Sequence, residues 1–144
     1  MTSTLEHPDT ATRPVHATRA VVVASAVVAA VVVWAVLVPL AGVDVTIPES
    51  TSGSERVDLG LDAVIVASLA AALAGWALLG ILERVTARAL PIWTAVAVVV
   101  LVATMPYSSG FTTGERLALA AMHLAVGATL VVGFRRAGLR TGRA

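Results

Sequence analysis

The chain has 144 residues, of which 58 % are hydrophobic and 13 % charged, and its formal net charge is +1. A soluble domain carries about twice that share of charged residues, so the composition excludes a water-soluble fold. The small net charge gives no reason to expect a nucleic-acid partner. The absence of cysteine excludes disulfides, thiolate metal sites and thiol redox chemistry. We therefore predict one compact membrane domain.

Four apolar segments are each long enough for a membrane-spanning helix, which needs about 20 residues to cross roughly 30 Å of hydrocarbon. We predict an all-α membrane protein, a four-transmembrane-helix up-down bundle, with spans at residues 20–42, 63–83, 89–106 and 114–134. The connections are an N-terminal tail (1–19), extracellular loops (43–62 and 107–113), a cytoplasmic loop (84–88) and a basic tail (135–144). The first apolar run is longer than a signal-peptide core, so we expect a retained helix.

The arginines predict the orientation in the cell membrane. If both termini are cytoplasmic, every arginine except Arg56 and Arg116 lies on the inner side, as the positive-inside bias requires. Aromatic residues fit this orientation, because Trp93 then lies near the inner interface while Tyr107 and Phe111 lie near the outer one. We expect a multi-pass protein with both termini inside.

Local residue patterns predict where helices end or begin. Pro39 lies in the last turn of the first span and predicts a bend or an early end there, because proline lacks the amide hydrogen. Asp62 precedes the second span and is predicted to cap it at the positive end of the helix dipole. Thr112 and Glu115 have the spacing of a capping box, which predicts the start of the fourth helix.

The first extracellular loop has a strand pattern. Val45 and Ile47 alternate with polar residues, as do Val57 and Leu59, around a turn-rich segment at residues 49–54. Alternation with period two on both sides of a polar turn predicts a short β-hairpin over the outer ends of the helices. The alternative is a flexible acidic loop.

A stripe of small residues recurs on the second span. Ala67, Ala71 and Gly75 are spaced every four residues and lie on one helix face. Helices in lipid approach closely at small residues, so we predict that this stripe packs against another helix. The alternative is that the stripe reflects a composition dominated by alanine and valine.

His123 is the ionisable residue that lies clearly within a predicted span. Such a group is by default a functional candidate, and histidine changes charge near neutral pH, so one hypothesis makes it a ligand or proton-linked site together with Glu115 and Asp62. The other hypothesis is a neutral imidazole bonded to a hydroxyl or carbonyl of a neighbouring helix, such as Ser68, Thr94 or Thr104.

We expect no catalytic centre, metal site or cofactor. His7 and His16 are predicted to be cytoplasmic and cannot join His123 as metal ligands at one depth. The sequence also contains no phosphate-binding glycine loop and no nucleophile adjacent to a base.

Several short motifs resemble those of an actinobacterial family of small four-span membrane proteins catalogued only as a domain of unknown function. The resemblance extends from Arg19 to Arg135, and the residues that carry it are Trp34, residues 38–40, residues 42–45, residues 74–79, residues 82–84, Trp93 and residues 122–124. It implies a four-helix integral membrane protein and carries over no catalytic or binding residue.

Three functional classes remain. We favour a non-enzymatic structural or accessory protein, whose partners are the lipid bilayer and either another membrane protein or a second copy in a homo-oligomer. The second class is a small transporter or channel subunit with His123 as a proton-sensitive group. The chain resembles the small multidrug exporters in length and span number, but its first span lacks their embedded glutamate. The third class is a membrane enzyme that uses His123 with Glu115 or Asp62.

Overall fold

The computed structural model describes residues 13–48, 55–106 and 110–141. The predicted turn at residues 49–54, Tyr107 and His7 lie outside these residues. In the described part, the elements are α1 (Arg13–Ala35), a π-helical segment (Val36–Leu40), β1 (Thr46–Pro48), β2 (Arg56–Asp58), α2 (Leu61–Val85), α3 (Ala89–Ala103) and α4 (Thr113–Thr141). The predicted all-α fold with a short hairpin is confirmed.

Three of these helices are long and apolar enough to cross a membrane: α1 with its π-helical extension, α2 and α4. The remaining helix, α3, has 15 residues and is therefore about 22 Å long at 1.5 Å per residue. It is shorter than the roughly 30 Å of a hydrocarbon core.

Pro39 lies inside the π-helical segment that follows α1. The segment is closed by the bond from the Ala41 amide to the Val36 carbonyl, at 3.0 Å, and Gly42 then adopts a left-handed φ of 67°. Glycine takes this conformation without steric cost and commonly ends a helix. The predicted change of geometry near Pro39 is therefore a switch from α-helical to π-helical bonding.

The hairpin packs on one end of the helix bundle. Ile47 pairs with Val57 in an antiparallel register, and the Leu59 amide extends the pairing by donating to the Val45 carbonyl at 2.8 Å. Val45 and Leu59 are both buried, and the indole of Trp34 in α1 donates to the Leu59 carbonyl at 2.9 Å. Because a two-stranded hairpin is marginal alone, these contacts hold it in place.

The helices surround a core in which α1 packs against α2 and α4, while α3 packs against α2 and α4. At the end of the bundle opposite the hairpin, Arg19 of α1 forms an ion pair with Glu83 of α2, with one hydrogen bond of 2.9 Å. At a close crossing of α1 and α4, a Cβ on Gly133 would lie 2.5 Å from Val22 Cγ1. The lack of a side chain at Gly133 thus lets these two helices approach.

The interfacial depth predicted for Trp93, near the start of α3, stays a prediction, while its ring lies inside the bundle. Its side chain is only 2 % exposed and meets the ring of Phe134 edge-on, with centroids 5.2 Å apart. The indole nitrogen donates to the Gly75 carbonyl at 2.7 Å. Because this bond satisfies its one polar atom, Trp93 can be buried in the bundle and does not need the polar interface.

Candidate functional site

A cavity of about 570 Å³ lies between α2, α3 and α4. Each helix contributes one face to its wall: residues 63–78 of α2, residues 93–104 of α3 and residues 119–131 of α4. Ala30 of α1 and Leu59 of the hairpin complete the lining. The cavity therefore occupies the interior of the bundle.

The cavity opens sideways between α2 and α3. Its exposed lining residues are on these two helices, including Ala67 and Ala71 of α2 and Val96 and Val100 of α3. The lining residues of α4 are all buried or half-buried, so α4 forms the back wall. The opening is therefore bordered by the apolar faces of two helices.

The separation of α2 and α3 has a structural cause. α3 lies close to α4, because a Cβ on Gly127 would be 2.5 Å from Leu101 Cδ1. Towards α2, α3 extends the large ring of Trp93 to Gly75. Ala67 and Ala71, which lie on α2 nearer the hairpin, have side chains too small to fill the space between α2 and α3.

The predicted stripe of small residues is divided between two environments. Gly75 lies against Trp93, since a Cβ at this position would be 3.6 Å from Trp93 Cζ2. By contrast, Ala67 and Ala71 are exposed and line the opening. The residues of α2 buried in the bundle form a different row, which consists of Val64, Ser68, Ala72 and Leu79.

His123 lies on the cavity wall with a polar partner. Its Nε2 is 2.9 Å from Thr104 Oγ1 on α3, and Thr104 is one of the three predicted partners. The Thr104 hydroxyl is also 2.7 Å from the Val100 carbonyl and donates its one hydrogen there. We therefore assign the Thr104 oxygen as acceptor and His123 Nε2 as donor. In the imidazole tautomer that carries its hydrogen on Nε2, Nδ1 is an acceptor.

Glu115 is the centre of a polar network outside the cavity lining. Its Oε1 accepts from the Thr46 amide at 3.0 Å, the Thr46 hydroxyl at 2.6 Å and Arg56 Nη2 at 3.1 Å. Its Oε2 accepts from the Thr112 amide at 2.7 Å, and Thr112 Oγ1 accepts from the Glu115 amide at 3.3 Å. The predicted capping box is confirmed. With both carboxylate oxygens occupied, Glu115 joins the hairpin to α4.

Asp62 is not the capping residue. The N-cap of α2 is Gly60, which has no side chain to form a cap bond, and Asp62 lies in the first turn. Its carboxylate folds back towards Gly60, where the helix dipole favours negative charge. Asp62 is exposed and does not line the cavity, so the structure places neither Asp62 nor Glu115 beside His123 in a common site.

Sequence reasoning missed the two hairpin residues that bind Glu115. Arg56 donates to the Thr46 carbonyl at 2.8 Å and to the Gly110 carbonyl at 2.9 Å, and its guanidinium lies 5.0 Å from the centroid of Phe111. The available signal was the presence of a single arginine in an acidic loop, opposite a capping glutamate. Among the described residues, no three His, Asp or Glu side chains lie close enough to hold a metal ion.

These features define a class of small helical proteins whose long apolar helices enclose a laterally open cavity beneath a polar hairpin. The chain belongs to DUF6069, a family of unknown function, and residues 10–140 match the family. The resemblance to a domain of unknown function is therefore confirmed. No curated protein and no solved structure matches the chain.

Proposed function

We propose that the protein is a non-enzymatic accessory protein of the cell membrane, and that it works by holding an apolar partner in the cavity. The observation that carries this proposal is the sideways opening between α2 and α3, which is lined by Ala67, Ala71, Val96 and Val100. Pockets of this size, with apolar walls and a few polar groups, are typical ligand sites. In a bilayer, the opening would admit a partner directly from the hydrocarbon.

The proposed topology has four spans and both termini in the cytoplasm. Three helices are long enough to cross, and the shorter α3 would complete its crossing through the loop before α4. Irregular backbone is tolerated at membrane depth only where protein satisfies its polar groups. Arg56 satisfies one such group, because its guanidinium donates to the Gly110 carbonyl and lies over the ring of Phe111.

An accessory role is supported by the bonds that the ionisable side chains make between elements of the fold. Glu115 and Arg56 bond each other and the hairpin backbone, and Arg19 and Glu83 join α1 to α2. These side chains hold elements together, which accounts for their presence without a reaction. His123 remains as the ionisable residue of the cavity lining.

Photo-crosslinking in native membranes tests the proposal. A benzophenone side chain at Ala71 would project into the opening, while the same group at exposed Ala70 would lie outside the cavity lining. We expect a discrete adduct from position 71 that is absent from position 70. The same distribution of bulk-lipid products at both positions would refute the proposal.

Cysteine labelling with an impermeant reagent tests the topology. Ser52→Cys should be labelled in intact cells, whereas Thr141→Cys should react only after the membrane is opened, because the arginine bias places the C-terminus inside. The reverse labelling pattern would overturn the proposed orientation.

A second candidate function is a small transporter or channel subunit with His123 as its proton-sensitive group. It is favoured by the location of His123 on the cavity wall. Purified protein in liposomes should then give a pH-dependent flux that His123→Leu abolishes. A flux that does not depend on pH, or that persists in His123→Leu, would exclude this role for His123.

A further inference from the structure

We propose that the cavity binds one hydrocarbon chain of a neutral lipid alcohol, whose hydroxyl group donates a hydrogen bond to Nδ1 of His123. The inference rests on the proposed function and names the chemical class of the apolar partner. It is carried by the shape of the cavity, by its length and by the hydrogen-bonding state of the histidine.

The shape of the cavity favours a chain over a helix of another protein. Three helices already direct one face each into it, and a further helix, which is about 10 Å across with its side chains, would have to force α2 and α3 apart. The bond of Trp93 to Gly75, at 2.7 Å, resists that movement at the inner edge of the opening. A flexible chain can enter beside this contact without breaking it.

The cavity is long enough for a chain whose hydroxyl lies at His123. Its lining on α4 runs from Leu119 to Val131, and the part from His123 to Val131 covers about 12 Å at 1.5 Å per residue. This is most of the roughly 15 Å that one leaflet contributes to a hydrocarbon core of about 30 Å. The first part of an extended chain can therefore lie along the cavity, with its tail towards Trp93.

The polar group in the cavity is an acceptor. Nε2 of His123 is committed to Thr104, and the described residues provide no bond to Nδ1. Because no buried side-chain nitrogen or oxygen of the described residues lacks a partner, Nδ1 is accessible from outside. An accessible lone pair on the wall of an apolar cavity calls for a donor on the ligand.

The same wall selects against charged lipids. None of the residues that line the cavity is an arginine, so a carboxylate or phosphate placed there would be desolvated without a permanent counterion, and His123 would have to take up a proton to offset its charge, which is costly in an apolar cavity. An ether or ester offers only acceptors and would leave Nδ1 unsatisfied. A hydroxyl group can donate to Nδ1 and carries no charge.

The experiment uses the full chain in detergent, titrated with oleyl alcohol, oleyl methyl ether or oleic acid and analysed by native mass spectrometry. We expect one equivalent of oleyl alcohol to bind about five- to tenfold more tightly than the ether, as one hydrogen bond allows, and more tightly than the acid. His123→Leu should reduce the affinity for the alcohol to that for the ether and leave the affinity for the ether unchanged. Thr129→Val, which removes a hydroxyl of α4 outside the cavity lining, should bind like the wild type.

A second pair of variants tests the site without changing His123. Ala71→Phe should block the opening and remove saturable binding of both chains, whereas Ala70→Phe should bind normally, because Ala70 is exposed and does not line the cavity. This pair of variants, together with the ratio of the wild-type affinities for the alcohol and the ether, tests the proposal even if His123→Leu fails to fold.

The outcomes separate the two proposals. Equal affinities for alcohol and ether would refute recognition of the hydroxyl but leave an apolar cavity that binds chains, as the proposed function requires. Failure of every chain to bind, together with a discrete protein adduct at position 71, would refute the lipid alcohol and retain an accessory role. Failure to bind together with no discrete adduct would refute both.

Discussion

Replacement of Gly75 tests whether contact between α2 and α3 holds the inner half of the bundle together. A Cβ at this position would lie 3.6 Å from Trp93 Cζ2, an ordinary contact distance. Gly75→Ala should therefore keep the contact and gain up to about 1 kcal/mol from helix propensity. The rest of a leucine side chain would have to enter the volume of Trp93, which is buried. We expect Gly75→Leu to cost about 1–3 kcal/mol by overpacking and about 1 kcal/mol more through the lost indole bond.

The assay is thermal unfolding of purified protein in detergent, followed by circular dichroism. Gly75→Ala should unfold at or above the temperature of the wild type and Gly75→Leu well below it. Gly80→Leu is the matched control, because a Cβ at Gly80 has no neighbour within 4 Å. An unchanged unfolding temperature for Gly75→Leu would refute the reasoning. Loss of a dimer with unchanged stability would place Gly75 between copies, contrary to the structure.

Two further predictions concern the polar groups. In Glu115→Gln, one side-chain oxygen becomes an NH2 group, so the residue can no longer accept hydrogen bonds at both positions. The hairpin should therefore open more often, and tryptic cleavage after Arg56 should rise about tenfold, with the exposed Asp44→Asn as control. Unchanged cleavage would show that Glu115 does not hold the hairpin. His123→Leu loses the bond to Thr104 and should be destabilised by about 0.5–2 kcal/mol in thermal unfolding. His123→Gln should unfold near the wild type, because its amide reaches about as far as Nε2 and can still donate to Thr104. Equal loss in both variants would contradict the assigned donor role.

The sequence predicted those parts of the fold that depend on neighbouring residues. Apolar length predicted the helices, alternation predicted the hairpin in which Ile47 pairs with Val57, and the spacing of Thr112 and Glu115 predicted the start of α4. Each signal lies within a few residues of the feature that it predicts. His123 was identified in the same way, because a polar residue within an apolar run is conspicuous.

The remaining features depend on residues that are far apart in the chain. The Glu115 carboxylate is bonded by Thr46, which is 69 residues away, and by Arg56, which is 59 residues away. The burial of Trp93 depends on the rotation of α3 about its own axis, which is set by packing against Gly75 and Phe134. No local pattern contains that rotation, so the sequence did not predict that the ring of Trp93 is buried in the bundle.

The cavity follows from a difference in side-chain size along α2 and α3. At the end of the cavity away from the hairpin, Trp93 fills the space between these helices, while nearer the hairpin the lining residues of α2 include the alanines Ala67 and Ala71. The close contact of Gly127 with Leu101 places α3 against α4 at this level, and Ala67 and Ala71 are exposed. In water such an uncovered apolar surface would be a liability. In a bilayer, hydrocarbon fills it at no cost, so the opening can persist as a stable part of the folded protein.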